Sequence, residues 1–151
     1  MVHALHEARR VLRPNGLLID LRPAAVHRRV GVMQAERYRR LAVMRETFDD
    51  DRAADRAVRE VEREGLFKAE RRALFECNRT MDTLDEFQEW LVDFVKRGKQ
   101  LSHEWLVGRV KRALDVTGDK TRVVVSGPVV LRVLKKQKGN VRLKDEGGRM
   151  N

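Results

Sequence analysis

The 151 residues include one cysteine, three prolines and eight aromatic side chains. A lone thiol, Cys77, closes no disulfide within the chain, so a reducing cytoplasm is the expected setting. No apolar run approaches the roughly 20 residues that a bilayer span needs. The N-terminus lacks the basic-then-apolar pattern of a signal peptide. A membrane is therefore not an expected partner, and Asn78-Arg79-Thr80 reads as a chance glycosylation sequon. His3, His6 and His103 are scattered and give no metal-ligand spacing. With few aromatics, a stacking surface for bases has little to draw on.

Charge is abundant. Charged residues make up 37% of the chain, hydrophobic ones 42%, and the net charge is +10. That mixture suits a globular domain with a charged surface, and the length suits one domain. The segment Lys135–Asn151 holds six basic and two acidic residues, leaving +6 on the body. It is Gly-rich and poor in apolar residues, so the division expected is a folded body over 1–134 and a basic flexible tail over 135–151. Basic pairs such as Arg28-Arg29, Arg39-Arg40 and Arg71-Arg72 favour anionic partners. Acidic residues are interleaved among them, so weak, nonspecific polyanion binding is the plainer expectation.

Periodicity gives the elements. Ala4, Leu5, Ala8, Val11 and Leu12 recur at helical spacing; Pro14 stops the helix and Asn15-Gly16 turns it. Leu17-Leu18-Ile19-Asp20-Leu21 is nearly all apolar, which predicts an interior strand covered on both faces. Val30/Val32 and Leu41/Val43 alternate around the polar Gln34-Ala35-Glu36-Arg37, which predicts a β-hairpin. A helix through Tyr38–Met44 is the competing reading. Asp49-Asp50-Asp51 opens a helix, where carboxylates complement free N–H groups, and Gly65 stops it. The triplet is less apt as a metal site, because three consecutive side chains do not converge without a loop built for it.

Phe67, Ala69, Arg71, Ala73, Phe75 and Cys77 alternate with Lys68, Glu70, Arg72, Leu74 and Glu76, predicting a strand with one mostly apolar face and Cys77 as a small core residue. Thr83 and Glu86 form a capping box before the apolar positions Leu84, Phe87, Leu91, Phe94 and Val95, with Gly98 as the stop. Ser102 caps a further helix. Trp90 and Trp105 on these helices are expected to pack rather than to stack on a ligand. Thr121–Leu134 is a β-branched strand in which Gly127-Pro128 predicts a bulge or bend.

In this order "ALHEARRVLRPNGLLIDLRP" resembles the "helix, R-V-L-K-P-G-G, strand" segment of class I S-adenosylmethionine-dependent methyltransferases, with Asn15 in place of the first Gly. "GLFKAERRALFECNRTMDTLDEFQEWL" and "TRVVVSGPVVLRVLKK" look like that family's sixth and seventh strands. The resemblance covers Ala4 to Lys136 and implies an α/β fold: half of a Rossmann-like sheet, strands ordered 5-7-6 with the middle strand 7 antiparallel, with flanking helices and an inserted hairpin. The family holds its cofactor on strands 1 to 4, which have no counterpart here, and no G-x-G-x-G stretch is present. No cofactor is therefore expected for this chain alone, and no catalytic or cofactor-binding residue is carried over.

The resemblance implies two further things. The strand Leu17–Leu21 would be left with an open edge. The expected partner is a second copy, or a subunit supplying strands 1 to 4, joined at that edge. Ligands of open α/β sheets bind beyond the carboxyl ends of parallel strands, which makes Asp20, Arg22 and His27 the candidate substrate contacts. The blander reading is an Asp20–Arg22 ion pair and an exposed His27.

Overall fold

The structure, a computed structural model, describes residues 1–96, 104–117 and 120–138. Its elements follow the expected order: α1 (Val2–Val11), β1 (Leu17–Pro23), β2 (Arg29–Gln34), β3 (Arg37–Val43), α2 (Asp49–Arg63), β4 (Phe67–Met81), α3 (Leu84–Lys96), α4 (Glu104–Thr117) and β5 (Arg122–Lys136). The positions of the expected stop Gly98 and cap Ser102, and the tail beyond Lys138, lie outside the described residues. No helix among the described residues is long and apolar enough to cross a membrane.

The last strand is the axis of the sheet. One edge of β5 pairs with β4 from Phe67↔Lys136 to Met81↔Val123. The other edge is shared end to end: Arg122–Ser126 pairs with β2, and Val129–Lys135 pairs with β1. β3 completes the hairpin outside β2. Among the described residues every pairing is antiparallel, and the fold is mixed α/β with a five-stranded antiparallel open sheet and four helices. A parallel, Rossmann-like sheet is not shown, for no two neighbouring strands among the described residues are parallel. β1 and β4 do run in the same direction, but β5 separates them.

The expected bulge at Gly127-Pro128 is absent, and β4 pairs through both residues without a shift of register. The pair falls instead at the junction between the β2 and β1 partners. The Pro128 carbonyl accepts the Ala24 N–H at 2.9 Å, so Pro128 presents its missing donor to that junction and no ladder bond is lost. The bulges lie elsewhere, at Ala69/Arg71 in β4 and at Val30/Gly31 in β2. The hairpin turns through Ala35 and Glu36, both at positive φ (44° and 67°), the geometry a two-residue turn needs to match strand twist.

The helices divide between the two faces. Leu5 of α1 and Ala57, Val58 and Val61 of α2 bury Phe67 and Leu134 at the β1 end of the sheet. Phe87, Leu91 and Phe94 of α3, with Leu106 and Val110 of α4, bury Val30, Met81, Val123 and Val125 at the hairpin end. Leu134 belongs to one alternating set of β5 side chains, and Val123 and Val125 belong to the other. The two helix pairs therefore sit on opposite faces. Gly65, at φ 70°, ends α2 as expected.

Among the described residues, the staggered cover leaves bare the face opposite α1 and α2. There Leu17, Ile19, Leu21 and Phe75 are 53%, 64%, 57% and 45% exposed, beside half-buried Val129, Leu131 and Val133. The expectation that β1 is covered on both faces is overturned. Its even-numbered residues face α2, its odd-numbered ones face outward, and β5 is its single strand neighbour among the described residues. Cys77 is likewise exposed and not a core residue. The Ala69/Arg71 bulge flips the alternation, so Phe67 points into the core while Ala73, Phe75 and Cys77 turn to the other face.

Candidate functional site

Two sets of polar residues lie near the carboxyl end of β1, and they do different things. The first is a closed ion-pair cluster. Asp20 and Arg22, two residues apart on β1, point to the same side, and Arg22 Nε donates to Asp20 Oδ1 at 2.9 Å. Arg22 Nη2 donates to Asp55 Oδ1 of α2 at 2.6 Å, and Arg132 Nη2 of β5 donates to the same oxygen at 2.8 Å. Arg22 Nη1 also donates to the Asp51 carbonyl at 3.2 Å. Burial alone would raise the Asp55 pKa, but the two guanidiniums outweigh it and the carboxyl is held below its usual range. Two arginines and two aspartates neutralise one another under α2. The cluster fastens β1, β5 and α2 together.

Of the three residues singled out from the sequence, Asp20 and Arg22 are thus brought together as an ion pair. His27 is exposed in the β1–β2 connection. Its Nδ1 accepts the Glu46 N–H at 3.1 Å, and its ring lies 4.9 Å from that of Phe48. Asp55 and Arg132 were missed. An arginine midway along an otherwise apolar strand was the available signal, since such a residue needs a buried carboxylate.

The second set surrounds a hollow of about 260 Å³ just beyond the end of β1, beside the last residues of β4. Pro23, Ala24, Val26 and Val129 give it apolar walls, with Trp90 of α3 across from them. Trp90 is held by its neighbours Phe87 and Phe94, at ring-centre distances of 6.0 and 5.1 Å. Its role is packing, as expected, but it also borders the hollow. Arg28 crosses the floor, over the Phe94 ring at 4.8 Å and paired with the Glu46 carboxylate. Cys77 and Arg79 of β4 complete the wall. Among the described residues, no three His, Cys, Asp or Glu side chains are grouped as a metal would require.

No protein-family model, curated protein or solved structure matches this chain. The functional reading therefore rests on its own residues.

Proposed function

We propose that this chain is a methyltransferase-like half-domain, inactive alone, that works when joined to a complementary half. The observation behind the proposal is the order β1-β5-β4, with the middle strand antiparallel to both and only one face covered by α1 and α2. This order supports reading β1, β5 and β4 as the strands 5, 7 and 6 that the sequence resemblance implies. The bare apolar face and the unpaired side of β1 lie where the rest of such a sheet and its second helix layer would attach.

The outer edges of β1 and β4 differ in a way that supports this reading. β4 carries Lys68, Glu70, Arg71 and Arg72, and charges of this kind discourage edge pairing. β1 carries Leu17, Ile19 and Leu21, with its charged pair turned under α2. A second copy paired at β1 would extend the sheet about a two-fold perpendicular to it. Both bare faces would then lie on the same side, still in water. A complementary half, bringing a strand and a helix layer, answers both features at once. S-adenosylmethionine would bind on that half, for no residue here forms its site.

The alternative, a basic nucleic-acid or polyanion-binding module without enzyme activity, has less support. Arg10, Arg28 and Arg29 are already paired with Glu7, Glu46 and Glu76.

The test is calorimetric titration of the purified chain with S-adenosylmethionine, with the solution mass measured on the same sample. The expected result is no cofactor binding and self-association through the bare face at high concentration. Stoichiometric micromolar binding, or a strict monomer that binds no apolar dye, overturns the proposal.

A further inference from the structure

We infer that the hollow at Trp90, together with the cleft beside it, is a binding site for a small zwitterion with an apolar side chain, an α-amino acid in chemical class. The inference stands apart from the half-domain reading.

The two cavities share Arg79 and Trp90. The hollow is apolar on most sides. The cleft, about 330 Å³, runs between α3 and the end of β4 and is lined by Glu86, Glu89 and Asp93. These acids are not equivalent. Glu86 is occupied, accepting the Asp82 N–H at 2.8 Å as part of the α3 cap. Glu89 and Asp93 make no ion pair with a described residue. Neither does Arg79, which lies between them and the apolar hollow. Arg28, the other cation at the site, is neutralised by Glu46.

The arrangement selects by charge. An apolar anion would meet Arg79 favourably but would face two free carboxylates. An apolar cation would meet the carboxylates but would face Arg79. A ligand with both charges and an apolar body uses all three features, with its carboxylate on Arg79, its ammonium toward Asp93 and Glu89, and its side chain against Trp90 and Val26. Size selects as well. Ligand pockets usually start near about 300 Å³, so the hollow takes one side chain and not a peptide. Trp90 is fixed by its stacked neighbours, so the apolar wall is formed before a ligand arrives.

The experiment uses the Trp105→Phe variant of the full chain, so that tryptophan emission reports Trp90 alone. L-phenylalanine and L-leucine are titrated beside phenethylamine and 3-phenylpropionate, each of which lacks one charge. The expected result is saturable, millimolar binding of the amino acids, with each half-ligand weaker by about tenfold or more. Arg79→Gln should lose about tenfold in affinity with an unchanged melting temperature, because that side chain is exposed. Saturating L-phenylalanine should also slow alkylation of Cys77 by iodoacetamide. Three results each overturn the inference: no saturable change up to solubility, an Arg79→Gln variant that binds equally well, or phenethylamine binding as tightly as L-phenylalanine.

Discussion

Arg28 lies against the bare α-carbon of Gly127, so close that a β-carbon there would fall 2.9 Å from Arg28 Cγ. The contact sets the floor of the hollow and directs the guanidinium to Glu46 and Phe94. Gly127→Ala should push Arg28 off that floor and cost about 1–3 kcal/mol, as overpacking does. A chemical-denaturation midpoint equal to that of the unsubstituted chain would show that Arg28 moves aside freely.

Asp55 holds two arginines with one oxygen, Arg22 at 2.6 Å and Arg132 at 2.8 Å. Asp55→Asn leaves both cations short of charge under α2. The expected loss is about 2–3 kcal/mol at neutral pH, below the figure for a fully buried pair because the Asp55 side chain is 26% exposed. The pH dependence carries a sign. The Asp55 pKa is lowered in the fold, so its contribution is complete above the unfolded value of about 3.9 and disappears as pH falls through the folded value. Stability of the unsubstituted chain should therefore drop as the medium is acidified below about pH 4, and the Asn variant should show a shallower drop. Equal slopes for the two proteins would count against the cluster.

Ile19 is 64% exposed in the middle of the bare face. Ile19→Lys should leave monomer stability within about 0.5 kcal/mol of its starting value, since little packing is lost. Light scattering should record less self-association, and apolar dye binding should fall. A melting point lowered by many degrees would instead place Ile19 in a core.

The Ala35-Glu36 turn asks two residues with side chains to adopt positive φ. Substituting Ala35→Asn with Glu36→Gly supplies the pair favoured in such turns and should raise stability by about 0.5–1 kcal/mol. Thermal unfolding of the double variant reads the gain directly.

Local chemistry was legible where neighbouring residues carry it. The α3 cap is written within four positions, and Glu86 N–H does donate to Thr83 Oγ1 at 3.2 Å. The hairpin was legible from alternation, and Asp20–Arg22 from spacing on one strand. What escaped depends on contacts between distant segments. Cys77 was assigned to the core because strict alternation was carried through Ala69/Arg71, where one inserted residue reverses the facing of everything after it. Gly127-Pro128 predicts a bulge or a bend because nothing local says that the partners on one side change there. Asp55 joins the ion cluster from 33 residues beyond Arg22, and Arg132 from 77 beyond Asp55. The hollow at Trp90 gathers a connection, three strands and a helix, and no short motif records such a meeting.

The placement of β5 has a consequence for how the chain is made. β1, β2 and β4 all pair with this one strand, and it follows every one of them in the chain. Until residues 122–136 leave the ribosome, the nascent polypeptide holds a hairpin, a charged strand and an apolar strand with no common neighbour. At about 5–20 residues per second that interval lasts seconds, long enough for sticky β1 to find the wrong company. The sheet therefore closes only once β5 has emerged, and a ribosome stalled just short of Thr121 would hold the β2–β3 hairpin without the strand that joins it to β1 and β4.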